Sequence, residues 1–294
     1  MKILLTGGGT GGHFYPIIAV AEELNNIVKE QKVSGLELYY MAPTPYNEGE
    51  LFNNNIIYKK NYAGKIRRYF SLLNVLDLFK TGWGIIQSTW EIFLIYPDVV
   101  FGKGGYASFP ALFAARILRI PVVIHESDSA PGRVNAWAGK FATRIALSYP
   151  DAAIYFPEKK VAVTGNPIRK DLDLALTSNA HEFLGLDKTI PTVFVIGGSL
   201  GSQKINEVLM EALPKLLSHF QIIHQTGKKN ITEVKQIADA VLQGHPHKDR
   251  YHIYDYMDNL TIRSAAGAAN IVISRAGSTI FEIASWHLPS IIIP

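Results

Sequence analysis

Residues 2–16 read KILLTGGGTGGHFYP: an apolar run, a glycine-rich turn, one histidine and a proline. KILLT is short and uninterrupted, as suits a strand buried on both faces, and the residues from Pro16 to about Lys29 carry helical periodicity. Strand, glycine turn and helix together form the opening unit of a doubly wound α/β fold, whose strand-end turns face a ligand crevice. The same unit recurs at residues 192–213, TVFVIGGSLGSQKINEVLMEAL, after the texture restarts past Gly165-Asn166-Pro167. LELYYM, DVVFG, PVVIH, RIALS, KVAVT, FQIIHQ, YHIYDY, NIVIS and SIIIP read as further strands, several of them separated by helical stretches. The expectation is an α/β protein of two Rossmann-like doubly wound domains, residues 1–165 and 166–294, joined near 164–170 and facing across a cleft.

The 294 residues are 48% hydrophobic and 18% charged, which fits folded domains rather than a disordered chain. Cysteine is absent, which excludes disulfides, thiolate metal sites and cysteine nucleophiles together and makes a reducing, cytoplasmic compartment the simplest home. The start has no secretory apolar region, and the most apolar later run, residues 83–101, is broken by Glu91, Pro97 and Asp98; neither a signal peptide nor a membrane span is expected. The formal charge of +4 is modest and undispersed into any dense basic block. Nucleic acid is therefore one option beside phosphate-bearing ligands and acidic lipids. SIIIP reads as a buried strand with nothing after it to return the chain to the surface, so further sequence is expected beyond it.

Three glycine turns follow strands, at 7–12, 102–106 and 197–202. Gly7, Gly9 and Gly12 satisfy GxGxxG, but the second strand ends YYMAP without the acidic residue that a dinucleotide ribose needs. A P-loop is disfavoured too, because His13-Phe14 stands where Lys and Ser/Thr belong. Each turn alone is explained by tight strand-to-helix geometry; three at equivalent places favour phosphate or sugar binding.

His13 stands at the mouth of the first helix, with Pro16 expected in the first turn, and is either a cap of the turn or a general base. His125-Glu126 ends a strand on the crevice rim, where structural and chemical roles are equally open. Zinc-type histidine spacings are absent, which disfavours a metal. Arg275 and Gly277 lie in a turn before a helix carrying Glu282, a carboxylate that either complements the helix dipole or accepts bonds from ribose hydroxyls. Residues 64–83, GKIRRYFSLLNVLDLFKTGW, read either as a core helix or as an aromatic surface helix with basic ends that dips into an anionic bilayer.

The ordered set GGGTGGHFYP, GKGGYASFP, HESDSAPGRVN, TGNPIRKD, GGSLGSQKIN, HQTGKK and SRAGSTIFEIA resembles the MurG family, the N-acetylglucosaminyltransferases of peptidoglycan synthesis, from Lys2 to Pro294. The resemblance implies the GT-B glycosyltransferase fold and inverting transfer from UDP-N-acetylglucosamine to an undecaprenyl-linked muramoyl-peptide acceptor. It implies neither cofactor nor metal, no nucleic acid partner, and peripheral attachment to the cytoplasmic face of an anionic membrane. Carried over by motif, His13 matches the family's proposed base, and Thr10, Gly11 and Gly12 match its donor-contacting loop. Gly104, Tyr106, His125, Glu126, Asp128 and Asn135 fall in motifs of the substrate side. Arg169 and Ser199 match positions near the diphosphate, Met257 one near the uracil, and Arg275, Ser278, Thr279 and Glu282 the nucleoside loop, with Glu282 on the ribose.

Four departures accompany the match. Asp128 replaces an asparagine, Leu200 replaces a glutamine, the Arg275–Glu282 turn is one residue short, and the family continues past SIIIP with a donor-site loop and a terminal helix. A form ending at Pro294 is accordingly expected to be weakly active or inactive.

Overall fold

The computed structural model describes residues 1–32, 35–65, 73–198 and 201–294. The chain forms two compact units, Met1–Arg169 and Lys170–Pro294.

In the first unit the elements run β1 (Lys2–Thr6), α1 (Gly11–Glu30), β2 (Glu37–Ala42), α2 (Glu48–Asn53), β3 (Ile56–Lys60), α3 (Leu73–Ile95), β4 (Val99–Gly102), α4 (Phe109–Ile117), β5 (Val122–Glu126), α5 (Arg133–Ala138), β6 (Arg144–Leu147) and β7 (Val161–Val163). The seven strands are parallel, in the order β3-β2-β1-β4-β5-β6-β7. Strand order reverses between β1 and β4, and crossovers leave that pair on opposite sides, which opens a crevice at their carboxyl ends. Alternate side chains of the apolar strands serve the two faces. Leu4, Val100 and Ile124 pack with Ile92 and Leu112, whereas Ile3, Leu5 and Tyr40 pack with Phe14, Ile17 and Ile18 of α1.

The second unit has α6 (Ala180–Leu184), β8 (Thr192–Ile196), α7 (Gln203–Leu217), β9 (Gln221–Gln225), α8 (Ile231–Val241), β10 (Tyr251–Tyr254), α9 (Asn259–Ala268), β11 (Ile271–Arg275), α10 (Thr279–Ser285) and β12 (Ser290–Ile293). Its parallel sheet runs β10-β9-β8-β11-β12, with the reversal between β8 and β11. TVFVI and QIIHQ are buried at every position, as a central parallel strand covered on both faces requires.

Two features differ from the sequence reading. α1 starts at Gly11, so His13 lies inside its first turn and Pro16 in the second rather than the first. Glycine has the poorest helix propensity after proline, yet the first-turn amides have no intrahelical acceptor to lose, and packing of Phe14, Ile17 and Ile18 fixes the helix. IIYKK forms the edge strand β3, which its lysines and short length concealed.

Of residues 64–83, which sequence left open between a core and a surface helix, 66–72 lie outside the described residues. From Leu76 along α3, the apolar side chains of one face point outward: Leu76, Phe79, Trp83, Ile86, Trp90 and Leu94 are each more than 60% exposed. Their spacing of three or four residues places them on one face. No helix among the described residues is long and apolar enough to cross a membrane.

Candidate active site

The strand ends of the first unit gather most of the residues singled out by sequence. Thr6 ends β1 and ties it to β2 through its hydroxyl, which donates to the Met41 carbonyl at 2.8 Å; the buried Tyr40 phenol donates to the Gly7 carbonyl at 2.7 Å. These bonds hold the start of the glycine turn against the sheet. Lys103 N donates to Thr6 O at 2.8 Å, which brings the β4 turn alongside.

The two turns then meet at His13. Gly105 has φ 78°, and a Cβ there would sit 2.9 Å from the Gly8 carbonyl and 3.4 Å from His13 Nε2, so only glycine lets the β4 turn approach so closely. Tyr106 lays its ring over Gly9. The Thr10 hydroxyl and His13 Nδ1 are hydrogen-bonded at 2.9 Å. When Nδ1 carries the proton and donates it to Thr10 Oγ1, Nε2 is left with a free lone pair. Burial, and secondarily the Lys103 charge, depress the His13 pKa, while Asp128 opposes them. His13 is therefore biased toward the neutral imidazole that a base requires.

The HESDSAPGRVN segment is braced from within. Glu126 accepts from Asp128 N at 3.0 Å, Gly132 N at 3.1 Å and Asn135 Nδ2 at 3.0 Å, so its carboxylate ties the loop to the start of α5. Asn135 also donates to the His125 carbonyl, and a Cβ on Gly104 would strike its amide. His125 is 1% exposed; Lys103 Nζ donates to its Nδ1 at 2.8 Å and its Nε2–H donates to Gly165 O at 2.9 Å. Burial first, then the Lys103 charge, push His125 down to about 4. The structural role of His125, Glu126 and Asn135 is thus visible, while Asp128 is the exposed member of the group.

Arg169 lies apart from these turns but within the same unit. It is 6% exposed, pairs with Glu50 at 3.1 Å and places its guanidinium 4.1 Å from the Tyr15 ring centroid. Tyr15 in turn lies against Gly11, so Arg169 reaches the first glycine turn through an aromatic ring.

In the second unit, Gln225 organises two strand ends. Its Nε2 donates to Gly198 O at 3.1 Å and its Oε1 accepts from Met257 N at 3.0 Å. Met257 is 1% exposed, and its side chain belongs to the core with Phe194 and Ile262. Ser199 and Leu200 lie outside the described residues. Arg275 is exposed at the end of β11, Ser278 caps α10 without a side-chain hydrogen bond, and Thr279 and Glu282 occupy its first turn. The structure brings these four together around one strand end.

Lys103, Tyr15, Glu50 and Gln225 escaped the sequence reading. A lysine set among glycines, GKGGY, was the visible signal for the first. The others carry no local signal, because their partners are distant in sequence. No group of three or more His, Asp or Glu placed to hold a metal ion occurs among the described residues.

Two buried histidines also set the response to acid. Burial pushes His224 down to about 3, and its nitrogens lie 2.8 Å from Tyr251 Oη and 3.0 Å from Asn206 Oδ1. His125 and His224 stay neutral in the fold, whereas the unfolded chain takes up protons below about pH 6.5. Their stabilisation is thus complete above that pH and declines by about 1.4 kcal/mol per pH unit for each histidine as pH falls toward its folded value. Urea unfolding at pH 7 and pH 5 checks this: the midpoint is expected to drop sharply at pH 5, and equal midpoints contradict it.

Residues 3–147 match the model of the glycosyltransferase family 28 N-terminal domain, and residues 192–294 that of the family 28 C-terminal domain. A Legionella pneumophila protein is 38% identical over 100% of this chain and 77% of its own length, and a Treponema denticola protein is 34% identical over 99% and 76%. Both are named UDP-N-acetylglucosamine–N-acetylmuramyl-(pentapeptide) pyrophosphoryl-undecaprenol N-acetylglucosamine transferase. The crystal structure of Acinetobacter baumannii MurG shares the fold, with a TM-score of 0.66 at 24% identity over 100% of this chain and 77% of that one. With both domain models matched and such relatives along nearly its whole length, the chain belongs to the MurG family of glycosyltransferases.

Proposed function

We infer that the chain is a hexosyltransferase that moves N-acetylglucosamine from UDP-N-acetylglucosamine to an undecaprenyl-diphosphate-linked N-acetylmuramyl-pentapeptide, a step of peptidoglycan synthesis. The observation that carries this reading is identity of 34–38% to transferases of that one named reaction across 99–100% of the chain. Release of UDP that depends on both donor and acceptor tests it.

In the proposed mechanism the first unit takes the acceptor and the second the donor. The acceptor hydroxyl gives its proton to His13 Nε2 as its oxygen bonds to C1 of N-acetylglucosamine; the bond from C1 to the UDP oxygen breaks, the electron pair leaves with UDP, and the anomeric centre inverts. Thr10 supports this step by accepting the Nδ1 proton, which fixes the tautomer with Nε2 open. Departing diphosphate charge needs donors, which Ser199 and the glycine-turn amides supply in this reading; Arg169, matched by motif to the same region, is committed to Glu50 and Tyr15 in this structure. Glu282 and the residues before α10 take the nucleoside.

The membrane-facing surface assigned in this reading is α3. Its outward stripe places Trp90 and Phe93 in stacked contact, 6.2 Å between centroids, with exposed Lys65 and Lys80 nearby in sequence. Such a face suits the headgroup region of an anionic bilayer, where aromatic rings insert and lysines meet lipid phosphate. Vesicles containing anionic lipid are expected to sediment the protein, and serine at Phe79, Trp83 and Trp90 together is expected to weaken binding about tenfold or more. Equal sedimentation of the triple variant contradicts the assignment.

A further inference from the structure

Lys103 is the buried charge that the mechanism above leaves unused. It is 1% exposed, and Nζ donates to His125 Nδ1 at 2.8 Å and to Ser127 Oγ. Both of those partners are uncharged: because Lys103 can only donate, His125 must accept through Nδ1 and keep its proton on Nε2, where Gly165 O receives it. A buried ammonium held by neutral groups is costly unless carboxylates compensate it through space. Here Glu126 and the exposed Asp128 do so. The cation is thus fixed, not free to swing into solvent.

Its place in the fold sets its backbone beside the turn that carries His13. Lys103 follows directly on β4, its Cβ lies against Gly7, and two residues later Gly105 lies against the His13 ring. The groups acting on His13 come from three elements. Thr10, from the β1 turn, bonds Nδ1; Lys103, from the β4 turn, opposes a positive imidazole; Asp128, from the β5 turn, favours one.

We propose that Lys103 is a positioning residue for the transfer: its ammonium, tied to His125 and Ser127 beside the turn that meets the His13 ring, adds to burial in holding His13 ready to take the acceptor's proton. The proposal rests on His13 as the base. Without the Lys103 charge, burial alone opposes Asp128, and the imidazole holds a proton to higher pH. The lysine's own pKa, brought down to about 8 mainly by burial, leaves it charged throughout the range in which His13 titrates.

The test is the His13 ring titration, followed by NMR in the full chain without substrate, beside the pH dependence of kcat/KM. Lys103→Met is expected to move the His13 midpoint up by about 0.5–1 pH unit, and Asp128→Asn to move it down. The acid limb of kcat/KM is expected to move by the same amount in the same direction for Lys103→Met. Lys103→Gln removes the charge but keeps a donor for His125, and serves where methionine disturbs the packing. A His13 midpoint unchanged in a folded Lys103 variant overturns the coupling. A midpoint that moves while the acid limb stays in place overturns His13 as base, and the proposal with it.

Discussion

His13→Ala is expected to lower kcat by about 10²- to 10⁴-fold while leaving UDP binding within about twofold of the unsubstituted chain. The magnitude is that of a lost general base, and the separation of effects follows from position. His13 is a first-turn residue of α1 in the first unit, whereas the nucleoside is assigned to the second. Alanine is the strongest helix former, so α1 is expected to remain intact and the loss to be chemical rather than structural. Single-turnover kinetics with saturating donor and acceptor, together with calorimetric UDP binding, check the pair of expectations. Near-normal turnover removes His13 from the chemistry; loss of UDP binding places it on the donor instead.

Gly201→Val is expected to unfold the glycine turn of the second unit or destabilise that unit by about 3 kcal/mol or more. Gly201 has φ 75°, which a β-branched residue adopts only under strain. A Cβ there would also fall on the Thr226 carbonyl oxygen, 2.6 Å from its carbon and 2.9 Å from Asn230 Nδ2. That carbonyl cannot retreat cheaply, since it accepts from Asn206 at 3.1 Å and Asn230 at 2.9 Å. Amide exchange in β8 and β9 under increasing urea reads the effect on this unit alone. Unchanged protection, with UDP binding retained, contradicts the packing described for the turn.

Much of the fold is legible because parallel strands buried on both faces leave uninterrupted apolar runs. KILLT, TVFVI and QIIHQ are of this kind, and each marks its strand to within a residue or so. The recurrence of strand, glycine turn and helix at 192–213 likewise exposes a second Rossmann-like unit. β3 was hidden because an edge strand need not be apolar, and the start of α1 because glycine's propensity gives no sign that Phe14, Ile17 and Ile18 will be buried. For residues 64–83 periodicity shows a helical face but not what covers it; the exposure of Phe79 and Trp83 is a tertiary fact.

The candidate site divides in the same way. Thr10 and His13 are three residues apart, so a helical first turn brings them together and their hydrogen bond is local. Lys103 with His125, Arg169 with Glu50, and Gln225 with Met257 are separated by 22 to 119 residues. Their meetings depend on strand order, which local pattern does not encode. Met257, matched by motif to a position near the uracil, has its side chain in the core and its backbone N–H donated to Gln225.

The central claim, transfer of N-acetylglucosamine to a lipid-linked muramoyl-peptide, is tested most directly by UDP release from UDP-N-acetylglucosamine with a soluble analogue of that acceptor, with and without chelator. The account predicts one UDP released per disaccharide formed, undiminished by chelator, and no release when the acceptor's muramoyl C4 hydroxyl is replaced by hydrogen. Release that is independent of that hydroxyl, or a product that is an isomer of the donor, contradicts it.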